Sequence, residues 1–258
     1  MSSNLEQRVV VIGGASGIGE AASRKFHSEG HPVFIGDRDT ENGRRVQQDL
    51  DSEFGFVDVM DDVSMKEFAR KIMELGGVTH MVYTPGGPVG EEMVPENSDY
   101  NPVTDMSHEA SERSVAFNYL AYRRALRIFC PLLENNPPLE SSFGAVTSIN
   151  MLGKYGLIDY SASKAAIEAA AIVAANQFGP QIRFYTVAPG STETPATAKE
   201  NMNFEAVAQS TGLQRVTQPE DVALMMYSLA KNIGISGQRS SIVDSLQFLA
   251  ADNSRYEE

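Results

Sequence analysis

Arg8-Val9-Val10-Val11-Ile12-Gly13-Gly14-Ala15-Ser16-Gly17-Ile18-Gly19 sets a short apolar run directly against a glycine-rich turn. A continuous apolar run of this length, bounded by glycine, is the pattern of a strand buried on both faces of a parallel sheet. A helical pattern follows through Ser28 and opens within the glycines. Glycine permits the tight turn, lets a pyrophosphate approach the backbone and lets helix pack close to strand. The helix N-terminus adds free N–H groups and a partial positive charge. A glycine-rich loop alone carries little information, so the rest of the chain has to agree with it.

It does agree. Pro32 to Gly36, Glu53 to Val57, Val78 to Tyr83, Gly144 to Ser148, Ile182 to Val187 and Ser240 to Val243 read as further strands. Helical patterns lie between them at Thr40 to Leu50, Asp62 to Leu75, Ser107 to Leu133, Tyr160 to Phe178 and Pro219 to Lys231. Alternation of this kind calls for right-handed βαβ crossovers and a parallel α/β sheet with helices on both faces. No linker or composition shift divides residues 1–258, which read as one domain without internal repeats. Two stretches break the rhythm: Gly86 to Ser107, acidic and proline-punctuated, and Pro189 to Gly212, rich in Thr, Ala and Asn. Long irregular stretches inside a compact domain are binding loops or plain surface excursions. The helix from Ala162 to Phe178 is small and apolar almost all round, which suits either a central helix or one covered by a second subunit.

The balance of 34 acidic against 21 basic residues gives a net charge of -13, which disfavours nucleic acid and anionic membrane as partners. A single cysteine, Cys130, sits in an apolar helical pattern and reads as a buried thiol in a reducing compartment. The N-terminal residues lack a signal pattern and no apolar run reaches the ~18 to 20 residues needed to cross a bilayer, so the expected location is the cytoplasm. His27, His31, His80 and His108 are scattered, and no metal site is expected.

Asp37 ends the second strand, eighteen residues after Gly19. A carboxylate there can accept hydrogen bonds from both adenosine ribose hydroxyls and repels a 2'-phosphate, favouring NAD(H) over NADP(H). Arg38 argues the other way, and an ordinary turn aspartate is the plain alternative. Tyr160-Ser161-Ala162-Ser163-Lys164 then places a phenol and an ammonium four residues apart, on one face of a helix. A neighbouring cation favours the phenolate, so the pair can move protons near neutrality, although the same spacing also suits a solvated helix face.

With these elements in this order the chain resembles the short-chain dehydrogenase/reductase family, in its compact one-domain branch. The likeness rests on Val11 to Gly19, Asp58-Val59, Asn118, Ser148, Tyr160 to Lys164, Val187-Ala188-Pro189-Gly190, Thr194-Pro195, Gly212 to Ala223, Ser236-Gly237-Gln238 and Val243-Asp244. It implies a Rossmann-type, doubly wound, seven-stranded parallel sheet and hydride transfer between a nicotinamide and an alcohol or carbonyl carbon. By resemblance, Tyr160 is the general acid/base, Lys164 lowers its pKa and holds the nicotinamide ribose, and Ser148 donates to the substrate oxygen. The resemblance also implies that Asn118 fixes a helix kink and a water linking Lys164 to solvent. Gly13, Ser16, Gly17, Ile18, Gly19 and Gly86 join Asp37, Asp58 and Val59 around the dinucleotide. Pro189, Gly190, Thr192 and Thr194 lie at the carboxamide. Homodimers or homotetramers are common in the family.

Four departures stand out. Tyr83-Thr84-Pro85-Gly86 replaces the usual Asn-Asn-Ala-Gly, so that loop must be held differently. Arg183-Phe184-Tyr185 replaces Arg-Val-Asn, and Asp244-Ser245-Leu246 replaces Asp-Gly-Gly. The interval from Ser148 to Tyr160 is one residue short, which brings Thr147 forward as a rival hydroxyl. Met151, Leu152, Tyr155, Leu157, Met202 and Phe204 flank these motifs and suggest an apolar, cyclic secondary alcohol or ketone as substrate; core packing is the plain alternative. The acidic residues Glu91, Glu92, Glu96, Asp99, Asp105 and Glu109 read as a solvated surface. The altered Tyr83 to Gly86 loop leaves two rivals to redox turnover: a dinucleotide-binding regulator, and an isomerisation or cyclisation assisted by the bound nicotinamide.

Overall fold

The computed structural model describes residues 7–93, 99–152, 157–199, 203–209 and 211–242. Strands β1 (Val9–Ile12), β2 (Val33–Asp37), β3 (Glu53–Phe56), β4 (His80–Tyr83), β5 (Ser141–Val146), β6 (Ile182–Pro189) and β7 (Gln238–Ile242) form one sheet in the order β3-β2-β1-β4-β5-β6-β7. Every pairing is parallel. This is the doubly wound α/β sheet the alternation demands, and the reversal of strand order between β1 and β4 opens a crevice at their carboxyl ends.

All four residues of β1 are buried, and burying each valine or isoleucine is worth about 1.5–3 kcal/mol against leaving it exposed. The side chains divide by period two. Val9 and Val11 pack with helices α1 (Gly17–Ser28) and α2 (Thr40–Leu50), whereas Val10 and Ile12 pack with α3 (Asp62–Glu74). After β4 come a short α4 (Pro102–Asp105), then α5 (His108–Val115), a π turn (Ala116–Leu120) and α6 (Ala121–Leu133) in unbroken succession. The long helix α7 (Ile158–Phe178) covers the α3 and α6 face. Beyond β6, α8 (Pro195–Lys199) and α9 (Phe204–Gln209) interrupt the stretch expected to be irregular, and α10 (Pro219–Lys231) closes the α1 face.

One strand boundary differs from expectation for a clear physical reason. β5 starts three residues before the expected Gly144 because Ser141 and Ser142 are buried with their hydroxyls satisfied, Ser141 Oγ donating to Leu133 O (2.9 Å) and Ser142 Oγ meeting His80 Nδ1 (2.9 Å). Its early end leaves Thr147 and Ser148 just past the strand. β7 begins at Gln238, two residues before the expected Ser240, and Val243 lies outside the described residues, as do Asp244, Ser245 and Leu246. Among the described residues no helix is long and apolar enough to cross a membrane.

Candidate active site at the carboxyl ends of the strands

Register assembles the site. Ile12 lies beside Gly36 on β2 and Tyr83 on β4, so Gly13, Asp37 and Thr84 emerge together at one edge. A cleft of about 250 Å³ opens there, with the glycine turn as its floor. Gly19 is required by close approach, since a Cβ at that position would stand 1.9 Å from Gly13 O. Ser16 is the N-cap of α1 but its side chain makes no capping bond, which leaves the first turn of helix N–H groups uncapped by it. The segment after β6 folds back over this turn: a Cβ on Gly17 would lie 3.3 Å from Thr194 Cβ.

The cleft collects Gly13, Ser16, Gly17, Ile18, Gly19, Asp37, Asp58, Val59, Gly86 and Thr194. Asp37 is half-buried and doubly held, Oδ2 accepting from Ala15 N (3.1 Å) and Oδ1 from Asp39 N (3.0 Å). Exposed Arg38 lines the cleft next to it. Pro189, Gly190, Thr192, Tyr160 and Lys164 are not among its lining residues, and Thr192 Oγ1 donates back to Gly190 O (3.0 Å).

Lys164 closes the Gly86 end. Its side chain is 1% exposed, its Nζ donates to Val146 O (3.2 Å), and it stands 5.6 Å from the centre of the Tyr160 ring. Burial pushes the ammonium down from 10.5 to about 8. Gly86 has φ +136, and a Cβ on it would stand 2.5 Å from Lys164 Nζ and 2.9 Å from Asn118 Oδ1. Only glycine lets the loop come this close.

Asn118 is fully buried in the π turn. Its Nδ2 donates to Ser114 O (3.0 Å), the carbonyl an α-helix would offer its backbone N–H, and to Gly87 O (3.0 Å), while Oδ1 accepts from Gly87 N (2.9 Å). This amide clamp, with Thr84 Oγ1 donating to Ile12 O (2.9 Å), is how the altered Tyr83 to Gly86 loop is held. Ser148 is 6% exposed and its Oγ accepts from Asn150 N (3.1 Å). Thr147 turns away, Oγ1 donating to Glu168 Oε1 (3.0 Å) and lying 3.3 Å from Val187 O.

Thr84 and Pro85 of the altered loop, Pro195 of the Thr194-Pro195 pair, and Phe117 and Ala196, none of them assigned to the site from the sequence, also line the cleft. The proline and threonine punctuation of YTPG was the available signal for the first two. Glu92 corrects the solvated-surface reading of the acidic stretch: it is 2% exposed, whereas Asp99, Asp105 and Glu109 are exposed. Glu96, and likewise Tyr155 and Met202 of the expected substrate wall, lie outside the described residues. Among the described residues no group of three or more His, Cys, Asp or Glu is placed to hold a metal ion.

A glycine turn at a helix N-terminus, a carboxylate at the far wall and apolar Val57 and Val59 beside it fit a dinucleotide. A family model described as enoyl-(acyl carrier protein) reductase matches residues 13–245. The chain belongs to the short-chain dehydrogenase/reductase family. The 2,5-dichloro-2,5-cyclohexadiene-1,4-diol dehydrogenase LinX of Sphingobium indicum is 28% identical over 270 residues, 99% of this chain and 94% of that one. L-fucose dehydrogenase of Mus musculus is 26% identical over 251 residues, 95% of this chain and 82% of that one. A crystal structure of 3-hydroxyacyl-CoA dehydrogenase type-2 from Mycobacterium avium, 23% identical, shares the fold with a TM-score of 0.81 over 92% of this chain and 94% of its own. This short-chain dehydrogenase/reductase is therefore an oxidoreductase acting on CH–OH groups with a nicotinamide cofactor.

Proposed function

We propose that the protein oxidises a secondary alcohol to a ketone with NAD, or runs the reverse reaction with NADH, on an apolar or cyclic small molecule. The observation that carries this reading is the buried Lys164 ammonium beside the Tyr160 ring. A bound nicotinamide supplies the hydride acceptor in oxidation and the hydride donor in reduction. Tyr160 takes the hydroxyl proton in oxidation and returns one in reduction. Lys164, buried beside the ring, favours the phenolate by its charge. Ser148 donates to the substrate oxygen as charge develops there. Asn118 acts on the other side, holding Gly86 and Gly87 against Lys164.

The backbone from Gly13 to Gly19, with Ser16, Gly17 and Ile18, takes the pyrophosphate, and Asp58 and Val59 flank the adenine. Pro189, Gly190, Thr192 and Thr194 close over the carboxamide. Asp37 supports NAD over NADP, because its two backbone N–H partners point a carboxylate at the ribose end of the cleft. The cyclic diol in the name of one relative and the sugar in the name of another support a ring-bearing alcohol. A homo-oligomer is supported by Ala162, Ala165, Ala169, Ile172 and Val173, an apolar stripe that α7 leaves exposed.

The test is a fluorescence titration with NADH and NADPH, followed by absorbance assays on a panel of cyclic secondary alcohols and ketones. NADH is expected to bind at least about tenfold tighter, a difference of about 1.4 kcal/mol, and at least one alcohol is expected to yield NADH. Tighter NADPH binding overturns the role of Asp37. Dinucleotide binding without turnover on any member overturns the substrate class.

A further inference from the structure

The buried carboxylate of Glu92 belongs to no role described so far, yet it sits against the helix that carries Tyr160. Three donors converge on it. Ser114 Oγ donates to Oε2 at 2.7 Å, Val89 N donates to the same oxygen at 3.2 Å, and Tyr160 N donates to Oε1 at 2.6 Å. A carboxylate excluded from water needs such donors, and each of these comes from a different piece of the site: the loop after β4, α5 and α7. Tyr160 is the third residue of α7, so its N–H is one of the four that a helix cannot satisfy internally. Leu157, the N-cap, offers no side-chain bond, and Glu92 reaches across 68 residues of sequence to supply the acceptor.

The contacts form a circuit. Ser114, which donates to Glu92, offers its own carbonyl to Asn118, and Asn118 clamps Gly87 next to the Gly86 that abuts Lys164. The loop from Gly86 to Glu92 is thus pinned at both ends, by Asn118 at one and by the start of α7 at the other. A second link between α5 and α7, Ser111 Oγ donating to Asp159 Oδ2, runs alongside.

We infer that Glu92 is a positioning residue for Tyr160, a remote cap whose carboxylate fixes the first turn of α7 and so holds the phenol beside Lys164. This rests on Tyr160 being the acid/base. The experiment is carbon-13 NMR of protein labelled at the hydroxyl-bearing carbon of tyrosine, with Tyr160 assigned by its loss in Tyr160→Phe. The pH at which Tyr160 ionises is followed in wild type, Glu92→Gln, Glu92→Ala and Ser114→Ala.

Glutamine keeps the acceptor for Tyr160 N, so its midpoint is expected within a few tenths of a unit of wild type. In Glu92→Ala the ring loses its station by Lys164, and the midpoint is expected to rise by on the order of one pH unit. Ser114→Ala is expected to shift it the same way by less, and this variant decides the matter if Glu92→Ala does not fold. A wild-type midpoint in the alanine variants overturns the inference, as does an equal fall in Glu92→Gln and Glu92→Ala, which is what the loss of a nearby negative charge alone produces. A wild-type Tyr160 that ionises no earlier than the tyrosines of the unfolded chain defeats the acid/base reading instead.

Discussion

The Asp37 end of the cleft and the Lys164 cluster behind its Gly86 wall are built on opposite principles. At the Asp37 end a half-buried carboxylate is fixed by two backbone N–H groups, with exposed Arg38 beside it. Water screens charge there, so the proposed preference for NAD rests on the placement of the carboxylate. At the Lys164 end an ammonium is sealed from solvent against a backbone carbonyl, with Asn118 and the Gly86 loop pressed around it. Here desolvation lowers the pKa of the ammonium, and it costs stability. The drop from 10.5 to about 8 corresponds to roughly 3 kcal/mol of penalty on the charged form. Because the folded-state value is the lower one, the penalty is complete below about pH 8 and fades as pH rises towards the 10.5 of the unfolded chain.

The contrast can be broken most severely at Lys164. Lys164→Met is expected to cut turnover by ~10²–10⁴ yet to stabilise the fold at pH 7 by on the order of 1–3 kcal/mol in urea denaturation. That gap should close as pH is raised from about 8 to 10.5. A variant less stable than wild type at pH 7 contradicts the desolvation argument. Ser148→Ala comes next, with an expected loss of ~10²–10³ in kcat. Its neighbour sharpens the assignment: Thr147→Val is expected to stay within about threefold in kcat while losing about 1 kcal/mol of stability, since its hydroxyl serves Glu168 and Val187 O. Equal kinetic losses at both positions would restore Thr147 as a partner of the substrate. The smallest effect is expected at the wet end. Asp37→Ala should weaken NADH by about tenfold and leave kcat at saturating cofactor nearly unchanged, as read by fluorescence titration and steady-state rates.

The same contrast explains what was legible beforehand. The fold was, because burial on both faces leaves an apolar run such as Val9 to Ile12 and glycine marks its end. The glycine turn and Asp37 are marked by local sequence, and both line one cleft. Failures occur where polar atoms are buried and satisfied from afar. Ser141 and Ser142 disguise the start of β5 because their partners are Leu133 O and His80. Glu92 looks like one more surface acid, since the donors that allow its burial lie 22 and 68 residues away at Ser114 and Tyr160. Hydrophobic periodicity records which side chains avoid water and is blind to a polar group that a distant partner has satisfied.

Tyr160 and Lys164 are proposed as the proton-transfer end of hydride transfer, and Tyr160→Phe removes the proton-carrying hydroxyl alone. Measured on an alcohol that the wild type oxidises, the variant should bind NADH as wild type does and lose turnover by ~10²–10⁴. Turnover within threefold of wild type, with binding intact, would remove Tyr160 from proton transfer.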